Sequence, residues 1–293
     1  MAEQLTFFNK NRERIQAVEN TFGHTGKSLL RPERVLVGEG RLLKLCRRGP
    51  KPKVFFLFND ILVYGSIMVP GRWNNKKQTI PLDEVEVEDM QDETTMANQF
   101  LIRTPRKSFY VAAASPDEKQ AWMEHIEQYK ALLLQHKGRP TDSTARSFAA
   151  TWIPDTASAI CMRCSDRFTV ANRRHHCRMC GYIVCGACSK DRALLLNISS
   201  SPVRVCRHCV VHLQAQDHRE IRYKKQRRVK GKNWKKSSVE DSPTQPEYES
   251  SSEEEEDRGY QVPSKWFSGV QQENHSKYCY LKPEHRTPPL RAL

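Results

Sequence analysis

The sequence has no run of about 20 apolar residues, so no segment is long enough to cross a bilayer as a helix. Its first residues, MAEQLTFFNKNRER, lack the apolar core and small-residue cleavage site of a secretory signal. They also lack the Met-Gly start that N-myristoylation requires. Nothing therefore directs the chain to an oxidising compartment, and a cytoplasmic protein is expected. Acidic residues are scarce relative to basic ones, 34 against 48, giving a formal net charge of +14. That excess attracts phosphates, whether of a membrane or of a nucleic acid. No serine, threonine or cysteine stands out as a nucleophile with a base partner, so the chain is expected to be non-catalytic, not an enzyme.

Cysteine is the residue in surplus. Eight of the ten cysteines form four C-x-x-C pairs, Cys161/Cys164, Cys177/Cys180, Cys185/Cys188 and Cys206/Cys209, separated by 12, 4 and 17 residues. In a reducing compartment such pairs are metal ligands rather than disulfides. Each C-x-x-C turn offers two thiolates to one side of a tetrahedral ion, so eight thiolates fill two structural Zn²⁺ sites. A closed four-sulfur site has no open position for water, which argues against a catalytic metal. The residues leave the pairing open: pairs one and two against three and four, or one and three against two and four. Cys46 and Cys279 stand alone and are read as free thiols.

With sulfur saturating the metals, His175 and His176 are left for other work. They lie in the stretch NRRHHCRMCG, residues 172–181, with Arg173, Arg174 and Arg178. Between Trp152 and His212 nine Lys/Arg face three Asp. Some of those cations offset anionic zinc–thiolate clusters, but a run of forked guanidinium groups beside two imidazoles suits a compact phosphate ester. In an extended stretch, Arg174, His176 and Arg178 share a face. Reading of bases calls instead for exposed aromatics or a helix that fits a groove, which makes a nucleic-acid-binding zinc protein the lesser reading and leaves no nucleic acid expected as a partner. A ubiquitin-ligase RING is also disfavoured, because its zinc ligands usually include histidine.

The motifs WIPD (residues 152–155), RRHHCRMCG (173–181) and RVC (204–206), set among four C-x-x-C pairs, resemble a FYVE zinc finger over about 60 residues. The resemblance implies interleaved zinc pairing, with Cys161, Cys164, Cys185 and Cys188 on one ion and Cys177, Cys180, Cys206 and Cys209 on the other. It implies a pocket for phosphatidylinositol 3-phosphate lined by Asp155, Arg173, Arg174, His175, His176, Arg178 and Arg204. It also implies that the preceding loop dips into the bilayer, here with Val170 and Ala171 at its tip.

Upstream, VLVGEGRLLKLC, KVFFLFNDILVYG, KKQTIPLDEV, NQFLIRTP and KSFYVAAAS read as successive strands, with a hairpin at Asn59-Asp60. The period then changes. Ser115-Pro116-Asp117-Glu118 is a capping box, and Trp122, Ile126, Tyr129 and Leu133 mark one face of a helix. Strands followed by one helix bearing a tryptophan resemble a pleckstrin homology domain, an α+β barrel made from a seven-stranded bent antiparallel sheet with a C-terminal helix. Between the first two strands, KLCRRGPKPK supplies Lys44, Arg47, Arg48, Lys51 and Lys53 without an acid. In that family the corresponding loop often cups an inositol phosphate.

The expected organisation is multidomain: an N-terminal segment with a helical pattern at 1–33; a pleckstrin homology domain at 34–137; a linker at 138–150; a small two-zinc FYVE finger at 151–212; and a disordered basic and acidic tail at 213–293. A short tether gives the second lipid site a high effective concentration. In the N-terminal segment Ile15, Val18 and Phe22 fall on one side of a short helix expected to rest on the barrel. The tail carries a basic run at 219–236, read first as an aid to membrane attachment, second as a nuclear import signal implying a nuclear pool or as an RNA-binding stretch, and third as a solvating tail, and an acidic run at 250–257. The domain order, with FFLFNDILVYG and CMRC, resembles the phafin family of small endosomal adaptors. That resemblance implies a peripheral membrane protein of early endosomes and of lysosomal or autophagic membranes, acting in membrane trafficking and autophagy. Protein partners are not legible.

Overall fold

The structure, a computed structural model, describes residues 2–22, 28–66, 77–91, 96–138, 147–215 and 263–267. No helix among them is long and apolar enough to cross a membrane. Seven strands form a bent antiparallel sheet: β1 (Leu36–Cys46), β2 (Gly49–Phe58), β3 (Ile61–Gly65), β4 (Gln78–Pro81), β5 (Glu86–Asp89), β6 (Gln99–Arg103) and β7 (Phe109–Ala112). Their order is β4-β3-β2-β1-β7-β6-β5, so β1 joins the two halves of the sheet. The turn at Asn59-Asp60 is the β2–β3 hairpin. It is fixed from below: the Val35 N–H donates to Asn59 Oδ1 at 2.9 Å, and Arg34 Nε donates to Asp60 Oδ1 at 2.7 Å.

Helix α2 (Pro116–His136) closes the barrel. Ser115 caps it, accepting from the Glu118 N–H at 3.1 Å, and Pro116 occupies the first turn, where no N–H is needed. Trp122, Ile126 and Tyr129 are buried against Phe55, Leu62, Tyr64, Phe100 and Ile102. Near the helix end Leu134 is the buried leucine, and Leu133 packs only partly against the core.

Helix α1 (Ala2–Thr21) lies on the outside of the sheet. Ile15, Val18 and Phe22 are buried with Leu36, Phe56, Phe58 and Val63, the opposite faces of strands whose other side chains fill the barrel. The buried Asn11 pins the helix to β1, donating to the Arg34 carbonyl at 2.9 Å and accepting from the Leu36 N–H at 3.0 Å.

The finger follows. It has four two-residue strands, β8 (His175–His176) paired with β9 (Ile183–Val184), and β10 (Arg192–Ala193) paired with β11 (Val203–Arg204). A buried cluster of Cys161, Cys177, Val184, Cys185, Val205, Cys206 and Cys209 serves as its core. Too little apolar surface is present for a domain of this size to stand alone, and metal sites take over that duty. Residues 207–215 are helical, so ordered chain continues past 212.

One element has no counterpart in the sequence reading. Strand β12 (Lys265–Trp266), from the stretch given no fold, pairs antiparallel with β1 at Gly38↔Trp266 and Glu39↔Lys265. The Trp266 ring stacks on His125, 3.9 Å between centroids, and meets Trp122 edge-on at 5.0 Å. Trp122 Nε1 donates to Ser264 Oγ at 2.9 Å, and Arg14 of α1 lies 4.2 Å above the Phe267 ring. The absence of a side chain at Gly38 is what admits the Trp266 ring, since a Cβ there would lie 2.3 Å from it. The basic and acidic runs of the tail lie outside the described residues.

Candidate functional site: a basic cavity between barrel and finger

The two cysteine groups are interleaved. Cys161, Cys164, Cys185 and Cys188 form one, and Cys177, Cys180, Cys206 and Cys209 the other, the four sulfurs of each lying within 4.8 Å of one another. Separations of 3.7 Å (Cys164–Cys185), 3.7 Å (Cys177–Cys209) and 4.0 Å (Cys180–Cys206) are far too long for disulfides. They match the edge of a tetrahedron with Zn–S bonds of about 2.3 Å, which is about 3.8 Å. Backbone N–H groups donate to the sulfurs, Cys185 to Cys161 at 3.3 Å and Cys206 to Cys177 at 3.2 Å, which favours thiolates. The donor set thus fits two Zn²⁺, which would lock the knuckle loops in place and supply no chemistry beyond that. Arg163 serves one cluster directly, its NH2 nitrogen donating to Cys180 Sγ at 3.4 Å.

The other arginines face elsewhere. Trp152 is the hub of the arrangement. His176 stacks on it, with centroids 4.9 Å apart and planes 12° apart, and the Arg178 guanidinium lies 4.1 Å from its centroid. His176 Nε2 is held by the Ile153 carbonyl at 2.7 Å. Gly181 makes this possible: its φ of +77° suits glycine, and a Cβ there would lie 2.0 Å from the Thr151 carbonyl oxygen. Arg204 is fixed by the Ser189 carbonyl at 2.6 Å. Burial first, then neighbouring guanidinium groups, pushes the pKa of His175 and of His176 downward, with the Ile153 carbonyl and Asp155 opposing the shift at His176. Asp155 Oδ1 is buried without a hydrogen-bond partner, 3.6 Å from His176 Nε2.

The barrel supplies the opposite wall. KLCRRGPKPK is not an open loop but the tip of the β1–β2 hairpin, Cys46 pairing with Gly49 across the turn Arg47-Arg48. Lys44 and Lys51 are directly opposite each other. Lys44 points inward and is 5% exposed, its Nζ 4.0 Å from the Phe109 ring centroid. Burial first, then the Lys107 and Lys53 charges, lower its pKa to about 7, with Cys46 opposing. Pro50 and Pro52 are tolerated in β2 because β3 pairs only from Val54 onward.

The walls enclose one cavity of about 480 Å³. Arg174, His175, His176, Arg178 and Arg204 line it from the finger, and Lys44, Arg47, Arg48 and Lys51 from the hairpin. Arg173, Asp155 and Lys53 are not among the lining residues. Arg173 is turned back, its Nε donating to the Val170 carbonyl at 3.4 Å. Lys107 was missed by the sequence reading. It is carried on the β6–β7 turn, which the Thr104 hydroxyl closes by accepting from the Lys107 N–H at 3.0 Å. Its Nζ lies 5.3 Å from the Trp152 centroid, so it reaches across from barrel to finger. The domains are further joined by the Asp155 N–H to the Arg47 carbonyl at 2.8 Å and Asn197 Nδ2 to the Pro105 carbonyl at 3.0 Å. At the rim of the finger Val170 is 90% exposed, and Ala171 is exposed beside it.

A sheet barrel capped by a helix, followed by two interleaved four-cysteine sites and a basic pocket, defines a pleckstrin homology domain joined to a FYVE zinc finger. Residues 36–131 match the PH domain family and residues 151–215 the FYVE zinc finger family. Pleckstrin homology domain-containing family F member 2 of Gallus gallus is 49% identical over 210 residues, covering 71% of this chain and 83% of the relative. Member 1 of Homo sapiens is 48% identical over 221 residues, covering 75% of this chain and 78% of that protein. The solution structure of the LM5-1 FYVE domain from Leishmania major is 37% identical, covering 26% of this chain and 89% of that one, with a TM-score of 0.22. The chain belongs to the pleckstrin homology domain-containing family F, the phafins.

Proposed function

We propose that this protein is a non-catalytic adaptor that recognises phosphatidylinositol 3-phosphate on endosomal membranes and acts in endosomal and lysosomal trafficking and autophagy. The observation that carries the reading is the convergence of Arg174, His175, His176, Arg178 and Arg204 on one cavity whose lining, among the described residues, includes no carboxylate. Guanidinium forks and imidazole N–H groups are the donors a phosphomonoester needs. Val170, on the exposed loop, adds apolar anchorage worth about 1.5–3 kcal/mol when buried in lipid. The two Zn²⁺ hold these groups in register and take no part in binding. The test is flotation of the full chain with vesicles that differ only in their inositide. Vesicles carrying phosphatidylinositol 3-phosphate should carry the protein with them, and Arg174→Ala should remove most of the selectivity. Equal flotation with vesicles lacking any 3-phosphorylated inositide overturns the reading.

A further inference from the structure

Strand β1 pairs with β2 from end to end along one edge. On its other edge β7 reaches only Leu43 and Lys44. The start of that edge, at Gly38 and Glu39, faces α2 across a groove, and a free edge of this kind is a template for another strand. Residues 264–267 fill it, and each makes a contact of a different kind. The Ser264 hydroxyl accepts from Trp122 Nε1 and donates to Glu118 Oε1, which also accepts from the Ser264 N–H at 3.1 Å. Lys265 Nζ lies 3.8 Å from Glu39 Oε1. Trp266 packs on the barrel core, against Trp122 and His125. Phe267 turns to the opposite side, against the core under α1 and beneath Arg14, while its N–H donates to the Val37 carbonyl at 2.9 Å.

The groove itself belongs to the barrel, and it is shaped around a guest. Gly38 and Gly40 stand two apart in β1 and so on one face, where glycine weakens a strand. A Cβ at Gly38 would overlap the Trp266 ring, and one at Gly40 the Ser264 hydroxyl. Trp122 is fully buried, so an open groove would take from its indole N–H the acceptor that Ser264 supplies. Glu118 holds the start of α2 with one oxygen, accepting from the Ala114 N–H at 2.9 Å, and presents the other to the guest. None of these residues lines the basic cavity.

We propose that this groove is a peptide-recognition site, separate from the inositide pocket, that takes an extended segment of the form Ser-Lys-Trp-Phe by strand addition. Residues 264–267 are a tethered copy of that ligand, and a partner protein carrying a segment of the same chemistry displaces them. Four residues with two ladder positions have the dimensions of a linear peptide epitope, in which main-chain pairing gives affinity and alternate side chains give specificity. The code is a hydroxyl that fits over Gly40 and bridges Trp122 to Glu118, a cation opposite Glu39, an indole over Gly38 and a second aromatic ring beneath Arg14.

The experiment uses the full, zinc-loaded chain carrying Trp266→Ala, which empties the place of the ring, and a fluorescein-labelled peptide of residues 261–269, QVPSKWFSG. The peptide should bind at one per chain and raise the melting temperature of this variant toward that of the unsubstituted chain. The unsubstituted chain should bind it at least about tenfold more weakly, because the tethered copy competes from within the same molecule. Peptides carrying Trp266→Ala or Ser264→Asp should fail to bind, the second because it sets a carboxylate against Glu118. Gly38→Val, added to the Trp266→Ala chain, should abolish capture of the peptide with flotation on inositide vesicles unchanged. No capture by the Trp266→Ala chain, equal capture by both chains, or capture that survives both peptide substitutions overturns the proposal. A dimer of the unsubstituted chain that Trp266→Ala dissolves would assign the groove to the segment of a second copy and overturn it as well.

Discussion

Replacing Lys44 by methionine should make the barrel more stable and its ligand binding weaker. Lys44 is nearly enclosed, beneath the hairpin tip and above Phe109, with Lys107, Lys53 and Cys46 as the titratable groups facing it. Its pKa of about 7, against an ordinary 10.5, means that the folded state disfavours the charged form by about 4–5 kcal/mol. Below pH 7 the amine is charged both folded and unfolded, and the native state bears that whole penalty. Between pH 7 and 10.5 the unfolded chain holds the proton and the native chain has released it, so stability rises with pH across that window. Methionine keeps the length of the stem and removes the charge, and the lost cation–π contact offsets about 1–2 kcal/mol of the gain. Lys44→Met should therefore stabilise the protein by about 2–3 kcal/mol at pH 6, or about 10 °C in melting temperature for a barrel of this size. The gain should fade by pH 10. Thermal unfolding of both proteins across that range, with zinc in excess, is the assay. A loss of stability at pH 6, or a gain independent of pH, would refute the argument. A phosphate ligand should also draw a proton onto the amine, so binding at pH 8 should show a buffer-dependent enthalpy that Lys44→Met abolishes.

Other perturbations read separate parts of the molecule. X-ray absorption at the zinc edge should show four sulfurs per metal and no nitrogen, and His176→Ala should leave two zincs bound; an imidazole ligand would contradict the interleaved sulfur sites. Trp266→Ala removes a half-buried ring from Trp122 and His125 and should lower barrel stability by about 2 kcal/mol, with faster proteolysis of the tail; an unchanged melt would mean the strand contributes nothing. Val170→Glu should weaken vesicle binding by roughly 10- to 100-fold and leave the affinity for a soluble inositol phosphate unaltered; an equal loss on both would place Val170 in the pocket instead of the bilayer. Gly181→Ala should disrupt the seat of Trp152, and retention of full inositide affinity would show that the stacked tryptophan is dispensable.

The metal sites were the most legible feature, because a C-x-x-C turn is local and its chemistry admits few alternatives. Their interleaving was not, since either pairing satisfies the same spacing until the Met162 N–H donates to the Ile183 carbonyl, drawing the first pair to the third, and the Arg178 N–H donates to the Arg204 carbonyl, drawing the second to the fourth. The hairpin at Asn59-Asp60 and the capped helix were legible for the same local reason. Lys44 was misjudged in character. It looked like part of a solvated basic loop, but the two-residue turn at Arg47-Arg48 extends β1 to Cys46 and turns Lys44 inward. Lys107 carried no signal at all. It is one lysine among many in the chain, and only the docking of Trp152 against its turn gives it a role. Strand β12 failed to register because its partners, Gly38 and Glu39 of β1 and Trp122 of α2, lie more than 140 residues away, and a two-residue strand has no periodicity to read.

The docking of the finger on the barrel also changes how the linker should be understood. A flexible tether raises affinity by keeping a second site nearby, and that gain depends on both sites facing the same membrane. Here the hydrogen bonds from Asp155 and Asn197 have already seated the finger on the barrel, so the entropic cost of bringing two patches together is met during folding. The seat gathers like charges, and Arg47, Lys107 and Arg178 oppose one another across it. Anionic headgroups bound along it remove that opposition. Ligand should therefore protect the inter-domain contacts more than either domain core. Hydrogen exchange at the Asp155 amide, which bonds to the Arg47 carbonyl, should slow more on ligand binding than exchange at Phe55 or Val111 in the barrel interior. If the cores gain as much protection as the seam, that relief does not occur.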